Sequence, residues 1–153
     1  MAVTNTGIMA ASEKWSRASL RITGDTLKPD EVGAILGLDA TRSGLKGERI
    51  GVRHSAVRRT SFWILQCPLD TTFPLQDHLN WLLNILDEKR DLIISISENW
   101  KVEFFCGFSS ENGQGGAIFE PALLRRLASF GIPLILDLYP PEIMGISCEE
   151  FSL

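Results

Sequence analysis

The sequence predicts an α+β protein built on a single, mostly antiparallel sheet with its helices on one face. A length of 153 residues suits one domain. The stretch from Trp100 to Tyr139 has the pattern of strand, tight turn, strand, short helix and strand. Along the whole chain, strands alternate with helices, but several hairpins and few parallel crossovers are expected, which favours an antiparallel sheet.

The first elements are a strand, a short helix and a loop. Arg17–Thr23 alternates apolar and polar residues, which is typical of a strand with one buried face and one polar face. A helix is expected from Pro29, which suits a first helical position, to Gly37, which suits a left-handed stop. Residues 38–47 are rich in turn formers and are expected to form a loop.

The middle of the chain predicts a hairpin followed by the longest helix. Arg49–Val57 and Ser61–Gln66 have strand character and are expected to pair with each other. From Leu75 to about Ser97, leucine and isoleucine recur at helical spacing opposite a polar side. This pattern predicts one continuous amphipathic helix that packs on the sheet.

The last third predicts two further strands, a second short helix and a final strand. Trp100–Phe108 alternates with period two, and Ser109–Gly116 supplies a hairpin turn that sends the chain back as another strand. A helix at Pro121–Gly131 then precedes a strand at Leu134–Leu138. Because both short helices begin at proline and end at glycine, the halves echo each other and suit a pseudo-symmetric ferredoxin-like arrangement.

Composition indicates one soluble domain in a reducing compartment. Residues 15–140 are expected to form the domain, residues 1–14 a flexible leader and residues 141–153 a C-terminal tail. The three cysteines, Cys67, Cys106 and Cys148, are too few for a disulfide framework, which favours the cytoplasm. Neither a targeting signal nor an apolar run of about 18 residues is visible, so no membrane association is expected.

A series of short motifs lies between about Ala18 and Tyr139. They are Gly24-Asp25, Pro29, Leu36-Gly37-Leu38, Thr41, His78-Leu79-Asn80-Trp81-Leu82-Leu83, Cys106-Gly107, Gly115-Gly116 and Leu136-Asp137-Leu138-Tyr139. In their order and spacing, these motifs resemble the bacterial family called domain of unknown function 4279 (DUF4279). The resemblance implies a small stand-alone α+β protein and carries over no catalytic residue.

The sequence contains no motif for catalysis, a cofactor or a metal. His54 and His78 lie far apart and no CxxC pair is present, which disfavours a metal site. Cys106 falls on the apolar side of its strand, where a thiol is expected to be inert. Glu103 and Asp137 could be neighbours on the sheet, but a solvent-facing position explains both equally well.

The best candidate binding surface is a basic segment. From Thr41 to Arg59 the local charge is +5, in a chain whose net charge is −4. Guanidinium groups suit carboxylates or phosphates, and a nearby aromatic ring can stack on them. The predicted binding residues are Arg49, Arg53, His54, Arg58, Arg59 and Trp63.

Two functional hypotheses follow. The first is a non-enzymatic interaction module of the immunity or adaptor type, which docks an acidic protein through its exposed sheet and basic hairpin. The alternative is a domain that binds or converts an anionic small molecule in a pocket beside the 38–47 loop, with Arg42 and Lys46 holding the anion. A pI near 5.2 disfavours nucleic acid as a partner. An exposed edge strand could also pair two copies into a homodimer.

Overall fold

The computed structural model describes residues 14–52, 55–110 and 115–139, which form a five-stranded mixed sheet and four α-helices. The strands are β1 (Lys14–Gly24), β2 (Arg42–Gly44), β3 (Ser61–Gln66), β4 (Lys101–Ser110) and β5 (Leu134–Tyr139). The helices are α1 (Pro29–Leu36), α2 (Leu75–Leu86), α3 (Arg90–Ser97) and α4 (Pro121–Ala128), with a 3-10 turn at Asp87–Lys89 between α2 and α3. The predicted α+β class is confirmed. The predicted leader and tail lie almost wholly outside the described residues.

The sheet is mostly antiparallel, as predicted. Its strand order is β2-β3-β1-β4-β5, and only the β4–β5 pair is parallel. The parallel pair is joined through α4, because a parallel connection needs a crossover rather than a tight turn. The ferredoxin-like arrangement stays a prediction.

The two faces of the sheet have different surroundings. The inner face carries buried residues such as Leu20, Trp63 and Phe104, which share one core with the apolar side of α2. The outer face carries the alternate residues of the same strands, and no helix of the described chain packs on it. We call this side of the sheet, which no helix of residues 14–52, 55–110 and 115–139 covers, the open face.

The predicted hairpin of Arg49–Val57 with Ser61–Gln66 is wrong. β3 pairs instead with β2, and Arg49 and Val57 form one isolated bridge within a loop that doubles back on itself. Gly47 and Gly51 have φ values of 89° and 77°, so the chain turns where an extended strand was expected. The tip of this loop, residues 53–54, lies outside the described residues.

The strand predicted after the Ser109–Gly116 turn is also wrong for the residues that are described. Residues 115–120 contain no strand and lead directly into α4. Both edges of β4 are already occupied, one by β1 and the other by β5, so a returning strand has no place beside it. Residues 111–114 lie outside the described part of the chain.

The predicted long helix is interrupted. The 3-10 turn Asp87–Lys89 separates α2 from α3 at a place that has neither glycine nor proline. Asp87 accepts hydrogen bonds from Arg90 at 3.1 Å and from Arg126 at 2.7 Å. These contacts stabilise the turn, and the contact with Arg126 of α4 is a tertiary one.

No helix in the described ranges is long and apolar enough to cross a membrane.

Candidate functional site

Arginines stacked on aromatic rings line the open face of the sheet. Arg17 lies over Trp15 at 4.7 Å from the ring centroid, and Arg21 lies over Phe105 at 3.4 Å. At the β2–β3 end of the face, Arg58 lies over Phe62 at 4.5 Å. A guanidinium held flat on a ring gains cation–π energy and loses side-chain freedom before any partner arrives. These ring contacts therefore restrict the positions of the three guanidinium groups on the open face.

Arg21 is the most enclosed of these arginines. The strand register places it between Ile64 of β3 and Glu103 of β4. Desolvation by burial lowers the pKa of Arg21, while the charge of Glu103 acts in the opposite direction. Its Nε is buried and has no hydrogen-bond partner among the described residues.

Glu103 is a buried carboxylate on the same face. Its nearest cation is Lys101, whose Nζ lies 2.9 Å from Oε2. That contact lacks hydrogen-bond geometry, so Oε2 also has no hydrogen-bond partner in the described chain. Glu103 thus balances part of the charge of Arg21 beneath the surface, while Arg17 and Arg42 remain exposed.

A glycine in β4 makes room for the aromatic end of the face. Trp15 and Tyr139 meet edge to face, with ring centroids 5.3 Å apart. A Cβ atom on Gly107 would lie 2.8 Å from the Trp15 ring and 3.3 Å from the Tyr139 ring. Gly107 therefore allows both rings to approach the backbone of β4.

The open face contains a shallow depression beside these rings. Its volume is about 60 Å³, and the arginines at its wall are Arg17, Arg21 and Arg42. Small-molecule sites usually enclose about 300–1,000 Å³. The depression is therefore a feature of a wider surface rather than a ligand cavity.

The structure distributes the predicted binding residues over three places. Arg58 lies on the open face, whereas Arg49 and Arg59 are exposed on the neighbouring loop. Trp63 is only 1% exposed and belongs to the core, so the ring that stacks on a predicted arginine is its neighbour Phe62. Arg53 and His54 lie outside the described residues.

The alternative anion-binding pair is not brought together. Arg42 lies on the open face opposite Ile64, while the Lys46 Nζ binds Asp25 Oδ2 at 2.7 Å. Two larger hollows border α1 and the 38–47 loop, with volumes of about 480 and 510 Å³. Their charged walls are mainly acidic and are formed by Asp30, Glu31, Asp39 and Glu48, with Lys28 as the cation. An anion pocket at this loop stays a prediction.

The candidate groups for catalysis are separated or buried. Burial raises the pKa of the Cys106 thiol to about 12, so it is protonated at neutral pH. Asp137 pairs with Gly107, which lies four residues along β4 from Glu103, so the Cα atoms of Glu103 and Asp137 lie roughly 13 Å apart along the strand direction. In the part of the chain that the structure describes, no three His, Cys, Asp or Glu residues could hold a metal ion.

The sequence interpretation missed the residues at the centre of the open face. Arg17 and Arg21 belong to a strand whose polar side was recognised, but not as a binding surface. Phe105 broke the alternation of β4 because it faces outward, and Tyr139 is the last residue of β5. The available signal was two arginines on one face of a strand near outward-facing aromatic residues.

Comparison with known proteins identifies the family but not an activity. Neither a curated protein nor a solved structure matches the chain. A family model, described as "Domain of unknown function (DUF4279)", matches residues 13–141. These residues include every strand and helix of the described fold. The chain therefore belongs to the DUF4279 family.

Proposed function

We propose that this protein is a binding module that docks an acidic protein surface on the open face of its sheet. The observation that carries the proposal is the row of arginine–aromatic pairs, Arg17 on Trp15, Arg21 on Phe105 and Arg58 on Phe62. Stacking uses the flat side of a guanidinium and leaves its N–H rim for carboxylates. Arg58 already has one such contact within the protein, since its Nε lies 3.9 Å from Glu48 Oε2. Aspartate and glutamate side chains on the surface of a partner protein could accept hydrogen bonds from these N–H groups.

The shape of the face favours a protein over a small molecule. Five strands spaced about 4.8 Å apart give a platform roughly 20 Å wide, whose depression holds only about 60 Å³. A flat, partly aromatic surface with exposed charges is typical of protein interfaces, where aromatic residues and arginine are enriched.

The net charge of the protein supports acidic polypeptide over nucleic acid. The whole chain carries −4, although its open face displays Arg17, Arg42 and Arg58. A polyanion as dense as duplex DNA would also approach the acidic remainder of the molecule. An immunity or adaptor role fits such docking, because these proteins act by covering or linking a partner and need no reactive centre.

The test is the binding of a fluorescein-labelled oligoglutamate peptide to the full chain, followed by fluorescence anisotropy. We expect saturable binding that weakens as salt is raised, because exposed charges are screened. The double variant Arg17→Glu with Arg42→Glu should weaken binding at least about tenfold, since it reverses two exposed charges on the face.

The matched control is Arg49→Glu with Arg59→Glu, which changes the net charge equally but lies on the neighbouring loop. We expect it to change the affinity by less than about twofold. If the loop variant weakens binding and the face variant does not, the open face is the wrong surface. Tighter binding of duplex DNA or of ATP than of oligoglutamate would contradict the proposed class of partner.

A further inference from the structure

The outer edge of β5 is an apolar extension of the core that the described chain leaves uncovered. Leu134, Leu136 and Leu138 lie beside Phe104, Cys106 and Phe108 on the inner face of the sheet. Phe104 and Cys106 are fully buried, yet the three leucines are 37%, 45% and 66% exposed. The apolar surface thus continues from the core onto β5, the last strand of the described sheet.

The same three leucines present their backbone groups to that edge. Phe104 N–H donates to the carbonyl of Pro133 at 2.9 Å, which shows that the odd-numbered residues of this segment face β4. Successive residues of a strand point their backbone groups to opposite sides. Leu134, Leu136 and Leu138 therefore direct N–H and C=O groups away from the sheet, where each needs a partner or water.

Nothing in the sequence of β5 protects this edge. Leu134–Tyr139 contains no proline, lysine or arginine, and its one charged residue is Asp137. Native edge strands are usually short, charged or interrupted, because an open edge is a template for pairing. The opposite edge of the sheet follows that rule, since β2 has only three residues.

We propose that β5 pairs with β5 of a second copy in antiparallel orientation and forms a two-fold symmetric dimer with a continuous sheet. A symmetric pair needs one strand sequence that complements itself. The row of leucines would meet the same row of the partner, which removes apolar surface from water, while the unpaired backbone groups form a ladder.

The strand sequence selects one register. Two-fold symmetry requires a residue of β5 to face its own copy, and the six-residue strand gives the longest overlap when that residue is Leu136 or Asp137. Centring on Asp137 would place two carboxylates directly opposite each other, which is unfavourable. Centring on Leu136 pairs Leu134 with Leu138 and Ile135 with Asp137.

The Leu136 register also satisfies more of the backbone. The outward-facing residues Leu134, Leu136 and Leu138 then stand opposite Leu138, Leu136 and Leu134 of the second copy, and each such pair exchanges two hydrogen bonds. Centring on Asp137 would leave Leu134 opposite no residue of β5, because the strand ends at Tyr139. Packing, charge and hydrogen bonding therefore favour the same arrangement.

The test measures the mass of the full chain by light scattering over a range of concentrations. We expect a dimer, and we expect Leu136→Lys to give a monomer, because it places two ammonium groups at the symmetry axis. Ile35→Lys is the matched control, since Ile35 is a 46% exposed apolar residue on α1, and it should stay dimeric. A wild-type chain that is monomeric at every concentration overturns the proposal. That result is expected if residues 140–153 cover the edge.

A cross-linking experiment tests the register itself. In a Cys106→Ala, Cys148→Ser background, which removes the thiol beside position 136, Leu136→Cys should form an intermolecular disulfide, because facing residues have Cα atoms about 5.5 Å apart. Leu134→Cys should not cross-link to its own copy, since it faces Leu138. Equal cross-linking of the two variants, or none at Leu136, would overturn the arrangement. Neither outcome bears on oligoglutamate binding to the open face.

Discussion

At the scale of single residues, His78 makes stability depend on pH. Its side chain is fully buried in α2, and neither ring nitrogen has a well-formed hydrogen bond to the described residues. Burial lowers the pKa of His78, although the carboxylates of Asp70 and Asp77 and the carbonyls of Asp70 and Phe73 oppose the shift. The folded protein therefore keeps this imidazole neutral at a pH where the unfolded chain protonates it.

The expected result is a loss of stability as pH falls below about 6.5, the ordinary pKa of histidine. Above that pH both states hold a neutral ring, so His78 adds no pH dependence there. The denaturant midpoint of the native chain should drop between pH 7 and pH 5 by more than that of His78→Leu, which cannot titrate. A His78 pKa at or above its ordinary value, measured by NMR titration, would contradict this explanation.

Gly107 is the residue on which the aromatic end of the open face depends. Gly107→Ala should lower the free energy of unfolding by about 1 kcal/mol, because the new Cβ would overlap the Trp15 ring. Gly116→Ala is the control, since nothing lies within 4 Å of a Cβ at that position, and it should change stability by less than about 0.5 kcal/mol. Urea unfolding of both variants measures the difference, and equal stabilities would contradict the overlap.

At the scale of secondary-structure elements, the Arg126 side chain of α4 holds this helix against α2 through hydrogen bonds. Arg126 donates hydrogen bonds to Asp87, Asn80 and Asn84 at 2.7, 3.2 and 3.0 Å. Arg126→Met should lower the free energy of unfolding by about 1–2 kcal/mol, because the contact is partly exposed but made of several charge-assisted bonds. Arg125→Met changes an exposed neighbour and should have little effect. Thermal unfolding of the two variants would show the contrast.

The sequence predicts elements with local signals better than elements whose contacts lie far away in the chain. The short helices were predicted closely, because Pro29 and Pro121 stand at their first positions and Gly37 has a φ of 63° just after α1. The periodicity does not predict the break between α2 and α3, where Asp87 accepts a hydrogen bond from Arg126 of a distant element. Local signals reveal local geometry, whereas partners remote in sequence leave no trace in periodicity.

Strand pairing shows the same limit for the candidate site. The alternation in β1 and β4 correctly predicted which residues face the core. It does not show that β2 rather than residues 49–57 pairs with β3. The open face became visible only when the register placed Arg21 of β1 beside Phe105 of β4. Such a site is assembled by strand order, which alternation within single strands does not determine.

At the scale of the whole molecule, the two proposed surfaces are geometrically linked. A two-fold axis perpendicular to the sheet, as the Leu136 register requires, turns the open faces of both copies to the same side. From β1 of one copy to β1 of the other there are five strand intervals, or about 24 Å. A dimer would therefore present two arginine rows side by side on one broad surface.

This arrangement predicts that a partner with two acidic segments binds more tightly than a partner with one. Two oligoglutamate segments joined by about 20 Gly and Ser residues have an average separation that matches about 24 Å. The tethered peptide should bind at least about tenfold tighter than the single segment, because the second contact becomes intramolecular. Anisotropy titrations of both peptides measure the ratio. In Leu136→Lys the ratio should fall to about two, the statistical value for two equivalent segments, while the single segment keeps its affinity. If tethering gives the same gain in Leu136→Lys, the two faces do not act together through β5.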